Sequence, residues 1–208
     1  MEWSDGKVRF IDQRMLPRDE RMVETDDPAV VEEAIRTLAI RGAPLIGIAA
    51  AYAVVLAAQR SLADIPARFS VHLERAFTRL AGTRPTAVNL FWSLDRMRKA
   101  SLAPDAKPEG LVELLLAEAR AIHNEDRDMC SRIGAAGAEL LPPAAAVLTH
   151  CNTGSLATGG DGTALNVIRV AWQQHKLKHV YVDETRPLFQ GSRLTTWELR
   201  RLDIPHTL

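Results

Sequence analysis

A cysteine followed by a glycine-rich loop is the part of this sequence best suited to chemistry. Cys151 comes three residues after a short apolar run at residues 144–148, and glycines follow it at positions 154, 159, 160 and 162. Apolar residues at helical spacing begin at Leu165, so the stretch predicts a strand, a loop and a helix. The backbone N–H groups of such a loop, at a helix N-terminus, favour an anion. The sequence therefore predicts an anion site beside a thiol, at the strand end where open α/β sheets bind ligands.

The spacing of the glycines limits the kinds of anion that the loop could bind. It fits neither the pattern that binds nucleoside triphosphates nor the pattern that binds dinucleotides, so a simple sugar phosphate remains. Gly159 and Gly160 are the predicted phosphate contacts in this loop. Asp161 stands beside them, and an acid there would weaken phosphate binding unless its side chain points to solvent.

Two readings of each thiol are open. A lone cysteine is most often a buried structural residue, but a thiol near a helix N-terminus is activated as a base or a nucleophile. We therefore expect Cys151 to be the chemical group, and Cys130, which lies in a helical pattern, to be a packing residue. His150 would face away from the site if the strand continues through Cys151, because neighbouring strand residues point to opposite faces.

Three further polar residues lie in loops that lead into helices. Arg41 and Arg84 are each followed closely by a proline, and they are either surface residues or bidentate phosphate ligands. Gln190 begins the helix after the second strand. Because loops after adjacent parallel strands share one end of the sheet, we expect Gln190 to lie near Cys151. Glu184 and Arg186 of the same loop either brace it or contact the ligand.

The sequence pattern changes along the chain, from mainly helical to strands that alternate with helices. Residues 1–25 predict short strands, Asp27-Pro28 predicts a helix start, and the apolar run 44–58 is too short to cross a membrane and predicts a buried core helix. Further helices are predicted at 68–80, 86–100 and 109–141. Strands at 145–150 and 179–183 then alternate with helices at 163–175 and 191–202, and a third strand begins at Ile204. We predict an α/β protein with two domains: a mainly helical N-terminal domain with a small β element (1–143) and the first part of a Rossmann-like parallel-sheet domain (144–208).

Composition excludes several classes of function. The chain has 208 residues, with 26 basic and 26 acidic side chains, so no basic excess indicates nucleic acid. Two cysteines make no disulfide framework, the six histidines show no metal-ligand spacing, and the N-terminus lacks the pattern of a signal peptide. We expect a soluble cytoplasmic protein that binds neither membrane, nucleic acid nor metal.

Four segments together resemble one family. They are Cys-Asn-Thr-Gly at 151–154, Ile-Arg-Gly-Ala-Pro at 40–44, Thr-Arg-Pro-Thr-Ala-Val-Asn at 83–89 and Asp-Glu-Thr-Arg-Pro-Leu-Phe-Gln-Gly at 183–191. Their identity and order resemble the methylthioribose-1-phosphate isomerases of methionine salvage, over nearly the whole chain. The resemblance implies isomerisation of 5-methylthioribose 1-phosphate without a cofactor, in a homodimer when the chain is full length. It also implies that Cys151 is catalytic and that the substrate is bound by Arg41, Gly42, Ala43, Arg84 and Gln190.

The resemblance also implies that part of the enzyme is missing. Family members continue well beyond residue 208 and supply a catalytic acid from a Gly-Ala-Asp motif, which these 208 residues lack. We therefore expect a truncated chain. Three alternatives are open: an isomerase of another sugar phosphate such as ribose 1,5-bisphosphate, an inactive fragment, and a non-catalytic relative of the regulatory subunits of the translation-initiation guanine-exchange factor.

Overall fold

The chain forms two compact units. The computed structural model describes residues 1–64, 66–103 and 107–208. The first unit comprises Met1–Arg14 and Arg21–Asn124, and the second comprises Met15–Glu20 and Glu125–Leu208. This division falls earlier than the domain boundary that we predicted after residue 143. The reason is that the second half of one long helix packs against the residues that follow it.

The first unit begins with a small antiparallel sheet. Its strands are β1 (Glu2–Ser4), β2 (Lys7–Ile11) and β3 (Met22–Thr25), in that order. Helix α1 (Pro28–Arg36) follows, and the side chain of its N-cap Asp27 accepts a hydrogen bond from the Ala29 N–H at 2.9 Å, as predicted. This backbone hydrogen bond, together with Arg60, lowers the pKa of Asp27.

An alanine-rich helix forms the centre of the first unit. Helix α2 (Ala43–Asp64) is followed by α3 (Phe69–Ala81) and α4 (Val88–Ser101), both of which pack against it. Among the described residues, α2 is the one helix long and apolar enough to cross a membrane, and 83% of its apolar window is buried. The prediction of a buried core helix is confirmed. At Gly47 an added Cβ would lie 2.8 Å from the backbone oxygen of Asn89, so a small residue lets α2 and α4 approach closely.

Helix α5 (Pro108–Glu139) runs for 32 residues without a break. The polar residues 123–128 in its middle are part of this continuous helix. Within the first unit His123 is buried there, and its Nδ1 lies 2.9 Å from the Tyr52 hydroxyl. Within the second unit Gly134 and Gly137 face α6 (Ala164–Gln173), where a Cβ would collide with Asn166 and Val167. The Asn166 amide donates to the Cys130 carbonyl at 2.8 Å across this contact.

The second unit contains a parallel sheet. Strands β4 (Ala145–His150), β5 (Leu177–Asp183) and β6 (His206–Thr207) are arranged in that order, and α7 (Thr196–Arg201) follows a π-helical turn at Gly191–Thr195. The predicted α/β class is confirmed, and β4 has the predicted bounds. Val180 and Val182 are buried on one face of the sheet, whereas Leu148 and Tyr181 are at least half exposed on the other. His150 pairs with Asp183 in register, so β4 and β5 end at the same edge.

Candidate functional site

Cys151 lies immediately after the last residue of β4. Its backbone has φ = 61°, in the left-handed region that costs a residue with a side chain about 1–3 kcal/mol. The strand therefore stops at His150, so the alternation of side chains along a strand does not separate His150 from Cys151. The His150 side chain is exposed, with Nδ1 3.7 Å from a carboxylate oxygen of Asp183. Cys151 itself is partly buried with a free thiol.

A buried glutamate from α7 holds the loop that follows Cys151. Glu198 is only 6% exposed. One of its oxygens accepts a hydrogen bond from the Asn152 amide at 2.6 Å. The other accepts from the Ser155 backbone N–H and from the Ser155 hydroxyl, each at 2.7 Å. The carboxylate thus binds the loop on both sides of Gly154.

Thr195 binds the same loop one helical turn before Glu198. Its hydroxyl donates to the backbone carbonyl of Cys151, and the Asn152 amide lies 3.3 Å from the same hydroxyl oxygen. Thr195 is 1% exposed. Neither Thr195 nor Glu198 was predicted from the sequence. Both lie in a segment that also carries Arg193, Arg200 and Arg201, so no local pattern distinguished them from solvent-facing polar residues.

Two of the loop glycines are required by close backbone packing. Gly154 and Gly162 form an isolated antiparallel bridge. A Cβ on Gly154 would collide with both oxygens of Glu198 and lie 2.5 Å from Leu165. Gly162 has φ = 99°, and its Cβ would lie 2.5 Å from the Thr153 carbonyl oxygen. The loop therefore has one defined shape.

The other two glycines lie against α5. The Gly159 N–H donates to the Asp126 carboxylate at 2.6 Å, so it already has an acceptor. A Cβ on Gly160 would lie 3.0 Å from the Arg127 Cα and 3.1 Å from the Cys130 Cβ. The contacts at Gly160 leave little room for a side chain. Phosphate binding by Gly159 and Gly160 stays a prediction.

Asp161 is an exposed residue that pairs with an arginine. Its carboxylate accepts a hydrogen bond from Arg169 of α6 at 2.6 Å, and its side chain is 60% exposed. The acid in the loop thus forms an ion pair at the surface. Cys130 is buried, as predicted, and desolvation raises the pKa of its thiol.

The loop after β5 is braced by an acid of its own. The Glu184 carboxylate accepts hydrogen bonds from the backbone N–H groups of Thr185, Gly191 and Ser192 at 2.8–3.4 Å. Burial acts to raise the pKa of Glu184, but the hydrogen bonds from Ser192, Thr185 and Gly191 together lower it. Glu184 therefore braces the loop. The guanidinium of Arg186 lies 5.8 Å from the ring centre of Phe189.

Gln190 lies in this loop, at the same edge of the sheet as Cys151. Its side-chain oxygen Oε1 is buried and has no hydrogen-bond partner among the described residues. The hydroxyl of Thr185 in the same loop is likewise buried without a partner in the described part of the chain. Such atoms are rare because an unmet buried polar group costs about 1–3 kcal/mol. They indicate capacity for a polar ligand.

The remaining predicted site residues belong to the first unit. Arg41 donates from Nε to the Gln13 side-chain oxygen at 2.9 Å, just before α2. Gly42 has φ = 95°, which favours glycine, and Ala43 is the first residue of α2. Arg84, in the loop before α4, has a buried Nη1 atom without a hydrogen-bond partner in the described residues. Across residues 1–64, 66–103 and 107–208, no three His, Cys, Asp or Glu side chains are grouped to hold a metal ion.

Comparison with known proteins identifies the family. The profile of the Initiation factor 2 subunit family matches residues 39–208. The chain belongs to this family. It is 51% identical over 208 residues to the methylthioribose-1-phosphate isomerase of Methylococcus capsulatus, and the match covers 100% of this chain and 58% of that relative. The resemblance seen in the sequence is thereby confirmed.

Two solved structures of high similarity carry different names. The 5-methylthioribose 1-phosphate isomerase of Pyrococcus horikoshii superposes with a TM-score of 0.94 at 39% identity, covering 100% of this chain and 58% of that chain. A structure named translation initiation factor eIF-2B, subunit delta, from A. fulgidus gives 0.89 at 43% identity, covering 100% and 60%. This member of the Initiation factor 2 subunit family thus spans less than two thirds of the relatives it matches.

Proposed function

We propose that the protein acts in the isomerisation of 5-methylthioribose 1-phosphate to 5-methylthioribulose 1-phosphate. The observation that carries this proposal is the thiol of Cys151 at the carboxyl end of β4, in a loop of fixed shape. The relatives named methylthioribose-1-phosphate isomerase support it at about half sequence identity. The reaction moves a hydrogen from C2 to C1 and opens the sugar ring, so no redox cofactor is consumed.

Each residue of the site has a separate role in the proposed reaction. Cys151 moves the C2 hydrogen or stabilises the transition state of that step. Arg41 and Arg84 bind the phosphate with charge-assisted hydrogen bonds, and Gln190 binds a hydroxyl of the sugar. Gly42 and Ala43 supply backbone contacts beside Arg41, and Gly160 does so beside the thiol together with Gly159, whose N–H also binds Asp126. The ring oxygen needs an acid, which in the resembled family comes from a segment beyond the 208 residues.

The direct test uses a completed chain. Because the sequence spans 58% of its Methylococcus relative, we would extend it with the C-terminal part of that relative and assay isomerisation of 5-methylthioribose 1-phosphate. Turnover that is lost in Cys151→Ala supports the proposal. No turnover with this substrate, but turnover with ribose 1,5-bisphosphate, would transfer the assignment to the second sugar phosphate.

A second candidate is a non-catalytic subunit. The likeness to the structure named as an initiation-factor subunit, at 43% identity, favours it. In that case the completed chain binds a protein partner and turns over neither sugar phosphate. The presence of the Cys151 loop together with Arg41, Arg84 and Gln190 favours the isomerase.

We further propose a homodimer in the cytoplasm that acts on a small sugar phosphate and contacts neither membrane nor nucleic acid. The even charge balance of 26 basic and 26 acidic residues supports the last point. Light scattering on the completed chain tests the dimer.

A further inference from the structure

Helix α7 contacts the loop that carries Cys151. We propose that Glu198, together with Thr195, is a positioning residue that fixes the Cys151 backbone and thereby the direction of its thiol. This inference rests on the function proposed above. It assigns a role in the reaction to a carboxylate that touches no reacting atom.

The first support is where the hydrogen bonds go. Thr195 donates to the carbonyl of Cys151 itself. Glu198 accepts from the side chain of Asn152, the next residue, and from the backbone of Ser155. The peptide that follows the thiol is therefore held at its carbonyl and at the neighbouring side chain. All these contacts fall within residues 151–155, the segment that begins with the thiol.

The second support is the backbone of Cys151. Its φ of 61° lies in a region that a residue with a side chain adopts only when its surroundings impose it. The contacts from α7 and the bridge between Gly154 and Gly162 supply those surroundings. Strain of this kind concentrates at functional sites because it aims a reactive group.

The third support is the choice of a charged residue. Burying a carboxylate costs free energy unless several hydrogen bonds compensate it. An apolar side chain could fill the same space at lower cost, but it could not bind three donors of the loop. The π-helical turn at Gly191–Thr195 sets the rotation of α7, and such turns are frequent at functional sites. Thr195 and Glu198, three residues apart, then face the same loop.

The test measures the loop and the reaction separately. Glu198→Gln keeps the shape of the side chain but places an N–H₂ group against a loop donor. Glu32→Gln is the matched control, because Glu32 is also a buried acid, only 5% exposed, and it binds Arg79 at 3.0 Å in the first unit. Both variants of the 208-residue chain are alkylated with iodoacetamide and analysed by mass spectrometry, with Cys130 as the internal reference.

We expect Glu198→Gln to raise the alkylation rate of Cys151 and the amide exchange of residues 151–155 by about tenfold, the equivalent of about 1.4 kcal/mol. The alkylation of Cys130 should stay unchanged, and Glu32→Gln should alter neither measurement. In the completed chain kcat should fall by about tenfold while KM stays within about twofold, because positioning affects the transition state more than binding.

Other outcomes overturn the proposal. Equal acceleration at Cys151 and Cys130 would mean general loosening, and unchanged kcat would mean that Glu198 only braces the fold. If Glu198→Gln does not fold, Thr195→Val replaces it and should show the same changes, with Thr195→Ser restoring wild-type behaviour. A wild-type completed chain without turnover counts against the proposed function alone. The alkylation and exchange measurements then decide the positioning role.

Discussion

The loops after β4 and β5 are stabilised in the same way, but they differ in whether their polar side chains have hydrogen-bond partners. Each is held by one glutamate that accepts several hydrogen bonds, Glu198 for the first loop and Glu184 for the second. In the first loop the side chains of Asn152 and Ser155 also find partners. In the second, the Oε1 of Gln190 is buried and unpartnered within the described residues. The first loop therefore orients the thiol of Cys151, whereas the second keeps a buried polar atom that can bind a ligand.

The largest test of this contrast removes the thiol. In the completed chain Cys151→Ala should lower kcat by about 100- to 10,000-fold, the range in which one acid–base group acts. Substrate affinity should change little, because the loop keeps its hydrogen bonds. Steady-state kinetics and calorimetry measure the two effects. Cys130→Ala is the control, and it should reduce stability with kcat preserved; wild-type rates in Cys151→Ala would refute the assignment.

Arg84 tests the ligand-binding side of the contrast. Arg84→Ala should weaken substrate binding by about 10- to 150-fold, the loss of a charge-assisted hydrogen bond worth about 1.5–3 kcal/mol. The thermal stability of the ligand-free protein should fall less, because Nη1 has no partner among the described residues. Calorimetry with the substrate gives the affinity. Arg79→Ala is a suitable control, since Arg79 pairs with Glu32 on α1; equal affinities for wild type and Arg84→Ala would make Arg84 structural.

Gly154 tests how closely the first loop is packed. Gly154→Ala should lower the free energy of unfolding by about 1–3 kcal/mol, because the added methyl group meets Glu198 and Leu165. Urea denaturation followed by circular dichroism measures this. Gly110→Ala in α5 meets nothing within 4 Å and should instead be stabilising by about 0.5–1 kcal/mol. Similar effects of the two substitutions would show that the space beside Gly154 is not filled.

The smallest effect concerns the brace of the second loop. The folded-state pKa of Glu184 lies below its ordinary value of 4.5, so its ionised form stabilises the fold. This contribution is present above pH 4.5 and is lost as the pH falls through the lowered pKa. The stability difference between wild type and Glu184→Gln should therefore shrink as the pH falls below that value. Denaturation curves at neutral and acidic pH measure it; a difference that grows on acidification would contradict the assignment.

The sequence predicted the elements better than their contacts. Apolar periodicity placed β4 and the helices α3, α4 and α6 within about two residues. Asp27 was recognised as an N-cap because its signal is local. Glu198 was not recognised, because its partner Asn152 lies 46 residues away and no local pattern records which helix face meets which loop. The inclusion of Met15–Glu20 in the second unit is a long-range fact of the same kind.

The hydrogen bond from the Gly159 N–H to Asp126 has a thermodynamic consequence. Asp126 on α5 and Glu198 on α7 hold the two ends of the glycine-rich loop. A ligand that meets an ordered loop does not have to supply the free energy of ordering it, which for a flexible segment consumes part of the interaction energy. Association should then proceed without a slow conformational step, at a rate governed by diffusion and orientation.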